Sequence, residues 1–133
     1  MEPDMSRYLL DTNILIYYLA DAVPPARVND IEEMLTSSFR VSIITKIEFL
    51  GWKKHTPEGY AIAEDFIRSA EVCPLIDTIA DRAIHLRRTC GMKLPDAVIA
   101  ATALTHECVL VTRNERDFSG ICTLEVVNPI DGG

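Results

Sequence analysis

Tyr8-Leu9-Leu10-Asp11-Thr12-Asn13-Ile14-Leu15-Ile16-Tyr17-Tyr18-Leu19 decides how the rest of the chain is read. Residues 7–10 read as a first strand, with Tyr8-Leu9-Leu10 as its apolar run. An acid follows at once, and Ile14, Leu15, Tyr18 and Leu19 then recur at helical spacing over residues 12–20. The same succession repeats downstream. Pro24-Pro25 breaks the chain, and a second helix over 28–36 carries Ile31, Met34 and Leu35 on one side. A strand over 38–43 leads into a helix over 45–55, a turn at Thr56-Pro57-Glu58-Gly59, and a helix to about residue 70. A third strand covers 71–75, and the next helix is capped by Asp77 or Thr78 and stops near Gly91. A helix over 94–107 takes Pro95 in its first turn. Strands over 109–112 and 123–127 flank a short turn or helix at 114–118, ahead of a Pro/Gly tail.

Strands alternating with helices predict the α/β class: a three-layer α/β/α sandwich around a parallel sheet of roughly five strands, as one domain over residues 1–133. The strand runs are apolar without strict alternation, as expected of strands covered on both faces. In open parallel sheets, ligands bind beyond the carboxyl ends of the strands. Asp11 follows the first strand directly, and Asn114 and Asp117 closely follow the fourth. Glu48 and Asp96 lie in the first turns of helices that can start at that same edge.

Four acids therefore define one expected pocket: Asp11, Glu48, Asp96 and Asp117. Each also has a purely structural reading. Asp11 suits an N-cap, and Asp96 suits the positive end of a helix dipole. Asn114 and Asp117 have the spacing of a capping box. Glu48 lies between Ile44 and Trp52 on an apparent apolar stripe, which turns it inward or along the stripe's margin. There a carboxylate has to be paired, protonated or bound to metal. The combination favours a shared site, and a pocket of oxygen ligands suits a hard divalent cation such as Mg2+.

Composition narrows the remaining classes. Of 133 residues, 48% are apolar and 25% charged, a globular profile with enough apolar mass for a real core. The formal net charge of -7 disfavours binding nucleic acid by electrostatics alone, but leaves open an enzyme whose metal reverses the local field. No apolar stretch reaches membrane-spanning length. Met1-Glu2-Pro3-Asp4-Met5 is acidic and unlike a signal peptide, so a cytoplasmic location is expected. The four cysteines form no CxxC pair, which argues against zinc, and Cys73, Cys108 and Cys122 read as small core residues. His55, His85 and His106 show no HExxH spacing and read as surface residues. No GxSxG, P-loop or GxGxxG occurs. Lys46, Lys93, Arg113, Arg116, Arg87 and Arg88 are the cations available to a phosphate backbone, and solvated surface charge is the ordinary reading of each.

Leu9-Leu10-Asp11-Thr12-Asn13-Ile14, Ile44-Thr45-Lys46-Ile47-Glu48-Phe49, Leu94-Pro95-Asp96-Ala97-Val98-Ile99-Ala100-Ala101-Thr102-Ala103 and Leu110-Val111-Thr112-Arg113-Asn114-Glu115-Arg116-Asp117-Phe118 together resemble the PIN-domain family. The resemblance is nearest to the VapC-type toxins of bacterial and archaeal toxin–antitoxin pairs and spans residues 8–118. It implies a ribonuclease dependent on Mg2+ or Mn2+, acting on RNA, with a small VapB-like antitoxin protein as partner and a homodimeric state. Asp11, Glu48 and Asp96 match the family's three principal acids. Many members carry an acid where Asn114 stands, and Asp117 is close enough to replace or supplement it. The expected catalytic set is thus Asp11, Glu48, Asp96 and Asp117, with Asn114 added for the metal. Thr12, Lys46, Lys93, Thr112 and Arg113 are expected to face substrate. A PIN-type nuclease of RNA maturation or decay and a non-catalytic α/β interaction domain are the alternatives.

Overall fold

A computed structural model describes residues 7–131. The expectation for residues 1–5 lies outside the described residues, as do the last two glycines of the tail. The elements follow the expected order: β1 (Tyr8–Leu10), α1 (Thr12–Leu19), α2 (Pro25–Ser37), β2 (Arg40–Ser42), α3 (Ile43–Leu50), α4 (Pro57–Ile67), β3 (Glu71–Cys73), α5 (Asp77–Cys90), α6 (Leu94–Thr105), β4 (Val109–Val111), a 3-10 turn (Glu115–Phe118) and β5 (Val126–Val127).

Every strand pairing is parallel, β1 with β4, β4 with β5, and β2 with β3. The main-chain ladder is split into a three-stranded and a two-stranded sheet. β1 and β2 still lie side by side, and one side chain bridges them. The buried Ser38 hydroxyl accepts from Tyr8 N–H at 2.9 Å and lies 3.2 Å from Tyr8 O, to which it donates. It also accepts from Arg40 Nη1 at 2.8 Å. The five expected strands are present and pair in parallel, but as a three-stranded and a two-stranded sheet bridged by Ser38 rather than as one continuous sheet.

Adjacent strand residues point to opposite faces, and this builds the three layers. Leu9 and Leu110 join the core under α5 and α6, with Ile79, Leu86 and Phe118. Leu10 and Val111 join the core under α1 to α4, with Ile14, Ile31, Phe49 and Ile67. All four of these strand side chains have no solvent exposure, and truncating any of them to Ala costs about 2–5 kcal/mol for a Leu. α6 is buried along Ala97–Ala103. Its alanines let the helix lie close to both α5 and the sheet, which places its N-terminal turn at the carboxyl edge.

Several boundaries differ from expectation for local reasons. α3 begins at Ile43 because the buried Ser42 caps it, its hydroxyl accepting from Ile44 N–H at 3.1 Å. α5 begins at Asp77 with Ile76 in the cap position, so neither Asp77 nor Thr78 is the cap. It ends as expected at Gly91, whose φ of 65° is a left-handed conformation that glycine adopts without strain. Cys73 and Cys108 are core residues, but Cys122 is exposed on the loop before β5. His55 and His106 are half-buried rather than surface residues, and His55 Nε2 lies 2.8 Å from Phe49 O. Among the described residues no helix is long and apolar enough to cross a membrane.

Candidate active site

The β1–β4 register sets Leu10 opposite Val111. The next residue on each strand, Asp11 and Thr112, therefore meet just beyond the carboxyl ends. Asp11 N–H donates to Val111 O at 2.9 Å, extending the ladder by one bond. Thr112 Oγ1 donates to Asp11 Oδ2 at 2.8 Å. The same carboxylate accepts from Thr12 N–H at 2.8 Å and from Asn13 Nδ2 at 3.1 Å. Asp11 is only 5% exposed. Burial raises its pKa, the bonds from Thr112 and the Thr12 amide oppose the rise, and the charge of Glu48 adds to it. Asp11 is also the N-cap of α1, so its structural and chemical readings coexist.

Glu48 does not face inward. On α3 the core-facing positions are Thr45 and Phe49, while Glu48 is exposed and Ile47 is 61% exposed. The stripe assumed to run on to Trp52 stops because the helix ends at Leu50. α3 packs on α1, and this brings Glu48 Oε1 to Thr12 Oγ1, which donates to it at 2.6 Å. Thr12 thus links Glu48 to the backbone beside Asp11.

Asp96 stands half-buried in the first turn of α6. Its pKa is pushed up to about 6, first by burial and then by the negative charges of Asp117, Asp11 and Glu48, with Lys93 pulling it down. All four expected acids therefore share one electrostatic neighbourhood.

Asn114 and Asp117 do not form a capping box. The Asn114 amide, which such a box gives to the acid, donates instead to Thr112 Oγ1 at 3.0 Å. Asn114 makes no side-chain cap bond to the 3-10 turn, and Asp117 N–H donates to the backbone oxygen of Asn114 at 3.0 Å. Both residues line an open groove of about 960 Å3 together with Arg113 and Arg116, and the lining of that groove includes none of Asp11, Glu48 and Asp96.

The expected substrate cations divide. Lys46 is half-buried on α3, and Lys93 is exposed in the cap position of α6. Arg87 and Arg88 close the last turn of α5. Arg113 is engaged within the protein. Its Nη1 donates to Tyr17 Oη at 2.7 Å, its Nε donates to Asp131 Oδ2 at 3.2 Å, and its guanidinium carbon lies 5.0 Å from the Tyr17 ring centroid. Asn128 Nδ2 donates to Arg113 O and to Asp131 Oδ2, each at 3.2 Å. Tyr17, Asn128 and Asp131 were absent from the sequence-based site. Local sequence marks two of them without linking either to the site, Asn128-Pro129 as a turn dipeptide and Tyr17 as lying four residues from Asn13 on one helix face, and it does not mark Asp131.

The donor set suits a hard cation, being carboxylate and amide oxygen with neither His nor Cys among the expected site residues. The pressure of three neighbouring acids on Asp96 marks an excess of negative charge that a cation relieves. As the side chains stand, no three His, Cys, Asp or Glu among the described residues are gathered tightly enough to hold an ion.

Comparison with known proteins bears on the fold and the family. No curated protein matches the chain in sequence. The chain is 32% identical to a protein in a toxin–antitoxin complex from Klebsiella pneumoniae, with a TM-score of 0.72 over 92% of this chain and 97% of that one. It shares the fold of a protein in a DNA-bound VapBC structure from Salmonella typhimurium, with a TM-score of 0.80 at 24% identity over 94% of this chain and 99% of that one. It also shares the fold of a protein in VapBC2 from Rickettsia felis, with a TM-score of 0.77 at 22% identity over 92% of this chain and 98% of that one. The model of the PIN domain matches residues 8–124, from the first strand to the loop before the last, and the chain belongs to the PIN-domain family.

Proposed function

We propose that this protein is a metal-dependent endoribonuclease and the toxin of a type II toxin–antitoxin pair. The observation that carries the reading is Asp11, buried at the carboxyl edge and held by Thr112, with Glu48 acting on its charge and Asp96 raised by the charges of Asp117, Asp11 and Glu48. Family membership and the toxin–antitoxin complex at 32% identity support it. A divalent ion, Mg2+ or Mn2+, supplies an activated water and neutralises the phosphate charge when bound.

The chain's own residues have distinct parts in this reading. Asp11 is the most direct ligand, because Thr112, Asn13 and the Thr12 amide fix its carboxylate. Glu48 and Asp96 would hold the ion directly or through water, and one of them would orient the attacking water. Asp117 adds a fourth negative charge, and Asn114 contributes a neutral oxygen. Lys46 and Lys93 contact substrate phosphates. The substrate is single-stranded or loop RNA, whose bases can be splayed for reading. A small antitoxin and a homodimeric state complete the proposal, with an antitoxin Arg able to pair with the acids in a bidentate geometry.

The test is cleavage of end-labelled single-stranded RNA in Mn2+, with and without EDTA, by wild-type and Asp11→Asn protein. Cleavage by wild type alone, and only with metal, is expected. Cleavage that survives both chelation and Asp11→Asn would overturn the mechanism. Growth arrest on expression, relieved by a neighbouring small gene, tests the toxin assignment, and its absence favours an RNA-maturation nuclease.

A further inference from the structure

We propose that Arg113 is a positioning residue, the centre of a brace that fixes the loop bearing Thr112 and Asn114, and not a contact for the substrate phosphate. This deepens the nuclease reading and rests on it. A cation beside an acidic nuclease site is ordinarily assigned to the phosphate backbone. The contacts of this one point elsewhere. Its guanidinium donates to Tyr17 on α1 and to Asp131 near the C-terminus and lies against the Tyr17 ring.

The backbone of Arg113 is held just as fully. Asn13 Oδ1 accepts from Arg113 N–H at 3.1 Å, while Asn13 Nδ2 reaches Asp11. Asn128 Nδ2 donates to Arg113 O. Asn128 is fixed in turn, its Oδ1 accepting from the N–H groups of Ile130 and Asp131 at 3.1 Å each. Side chains from α1 and from the segment after β5 thus hold the donor, the acceptor and the guanidinium of one residue.

That residue lies between Thr112, which orients Asp11, and Asn114, whose amide donates to Thr112. An exposed ion pair adds little by itself. Its consequence here is geometric, because small displacements at a reacting centre cost rate. Asp131 and Tyr17 take two of the five guanidinium N–H donors, at Nε and Nη1, and so fix the direction in which the group points.

The experiment compares wild type, Arg113→Ala and Asp131→Ala, with Tyr17→Phe as a milder variant. It reads kcat, KM for RNA, the salt dependence of RNA binding by the metal-free protein, and Mn2+ affinity by calorimetry. The brace predicts that Arg113→Ala and Asp131→Ala each lower kcat about tenfold, with KM within about twofold of wild type. The slope of log affinity on log salt stays unchanged. A variant combining Arg113→Ala with Asp131→Ala is no worse than Arg113→Ala alone, because the two residues act as one unit. A phosphate contact predicts raised KM, kept kcat, and a salt slope smaller by about 0.7 for single-stranded RNA. That outcome overturns the proposal, as does tighter RNA binding by Asp131→Ala or wild-type kinetics in both alanine variants. If wild type cleaves no RNA, the nuclease reading falls separately. The brace is then decided by Mn2+ affinity alone, which weakens in both alanine variants if Arg113 positions the Asp11 network and is unchanged in both if it does not.

Discussion

Thr112 Oγ1 stands 2.8 Å from Asp11 Oδ2 across 101 residues of chain. The parallel β1–β4 register brings the two together, and the bond turns a strand pairing into the orientation of a carboxylate. Thr112 has no solvent exposure and accepts from Asn114 N–H while donating to Asp11. Thr112→Val keeps the shape and deletes both bonds. Unfolding in urea at pH 7 is expected to show a loss of about 1–3 kcal/mol, the cost of leaving buried polar groups unpaired. NMR titration should find the Asp11 pKa raised further, since the Thr112 bond is the largest effect lowering it. An unchanged Asp11 pKa would remove Thr112 from the network.

Asp11→Asn should abolish cleavage with little change in stability. The substitution removes a charge that burial disfavours, but it sets an amide donor among the Thr12 amide, Asn13 and Thr112, which now donate to the carboxylate. These effects oppose each other, and the melting temperature is expected to move by less than about 4 °C. A larger fall would show that the carboxylate is needed for folding.

Asp96 predicts a pH dependence of the metal-free fold. Its pKa rises from 3.8 to about 6 on folding, so the folded state holds this proton more tightly than the unfolded state. The stability contributed by the protonated group is complete below pH 3.8 and is lost as pH rises through about 6. Asp11 shifts in the same direction. Thermal melts in EDTA between pH 4 and 7 should show wild type losing stability across that window and Asp96→Asn losing less. Mg2+ competes with the same protons, so its affinity should rise with pH and level off above about 6. Parallel wild-type and Asp96→Asn stability profiles would contradict the assignment.

Neither side chain of the Asn114–Asp117 pair forms a cap. Asp117→Asn and Asn114→Ala are each expected to change stability by less than about 0.5 kcal/mol, the range for surface substitutions outside such motifs. Asp117→Asn should weaken Mn2+ binding in calorimetry more than Asn114→Ala does. Equal metal affinity in wild type and Asp117→Asn would leave the site with three acids.

Periodicity made the element order legible, and the end of the first strand made Asp11 legible, whereas Thr112 is reached only through the family resemblance, as a substrate contact, and stands fully buried against Asp11. What escaped depends on contacts between distant segments. The Asn114–Asp117 spacing is a genuine local signature, but Thr112 takes the amide it requires. Counting along α3 turned Glu48 inward because Trp52 was counted as helical, whereas the helix ends at Leu50. The Tyr17–Arg113–Asp131 brace joins three remote segments, and only the folded chain reveals it. The split ladder is equally invisible in composition, since Ser38 reads as an ordinary residue at the start of a strand.

The Ser38 seam has a consequence for how the domain opens. With no main-chain ladder between β1 and β2, amide exchange should divide the molecule into two cooperative blocks. One contains β2, α3 and β3, and the other contains β1, β4 and β5. Glu48 belongs to the first block, and Asp11 and Thr112 to the second, so the Thr12–Glu48 bond is a stitch across the boundary. A ligand held by acids from both blocks fastens them together, and slowed exchange on both sides of the seam would report its binding without any substrate being cut.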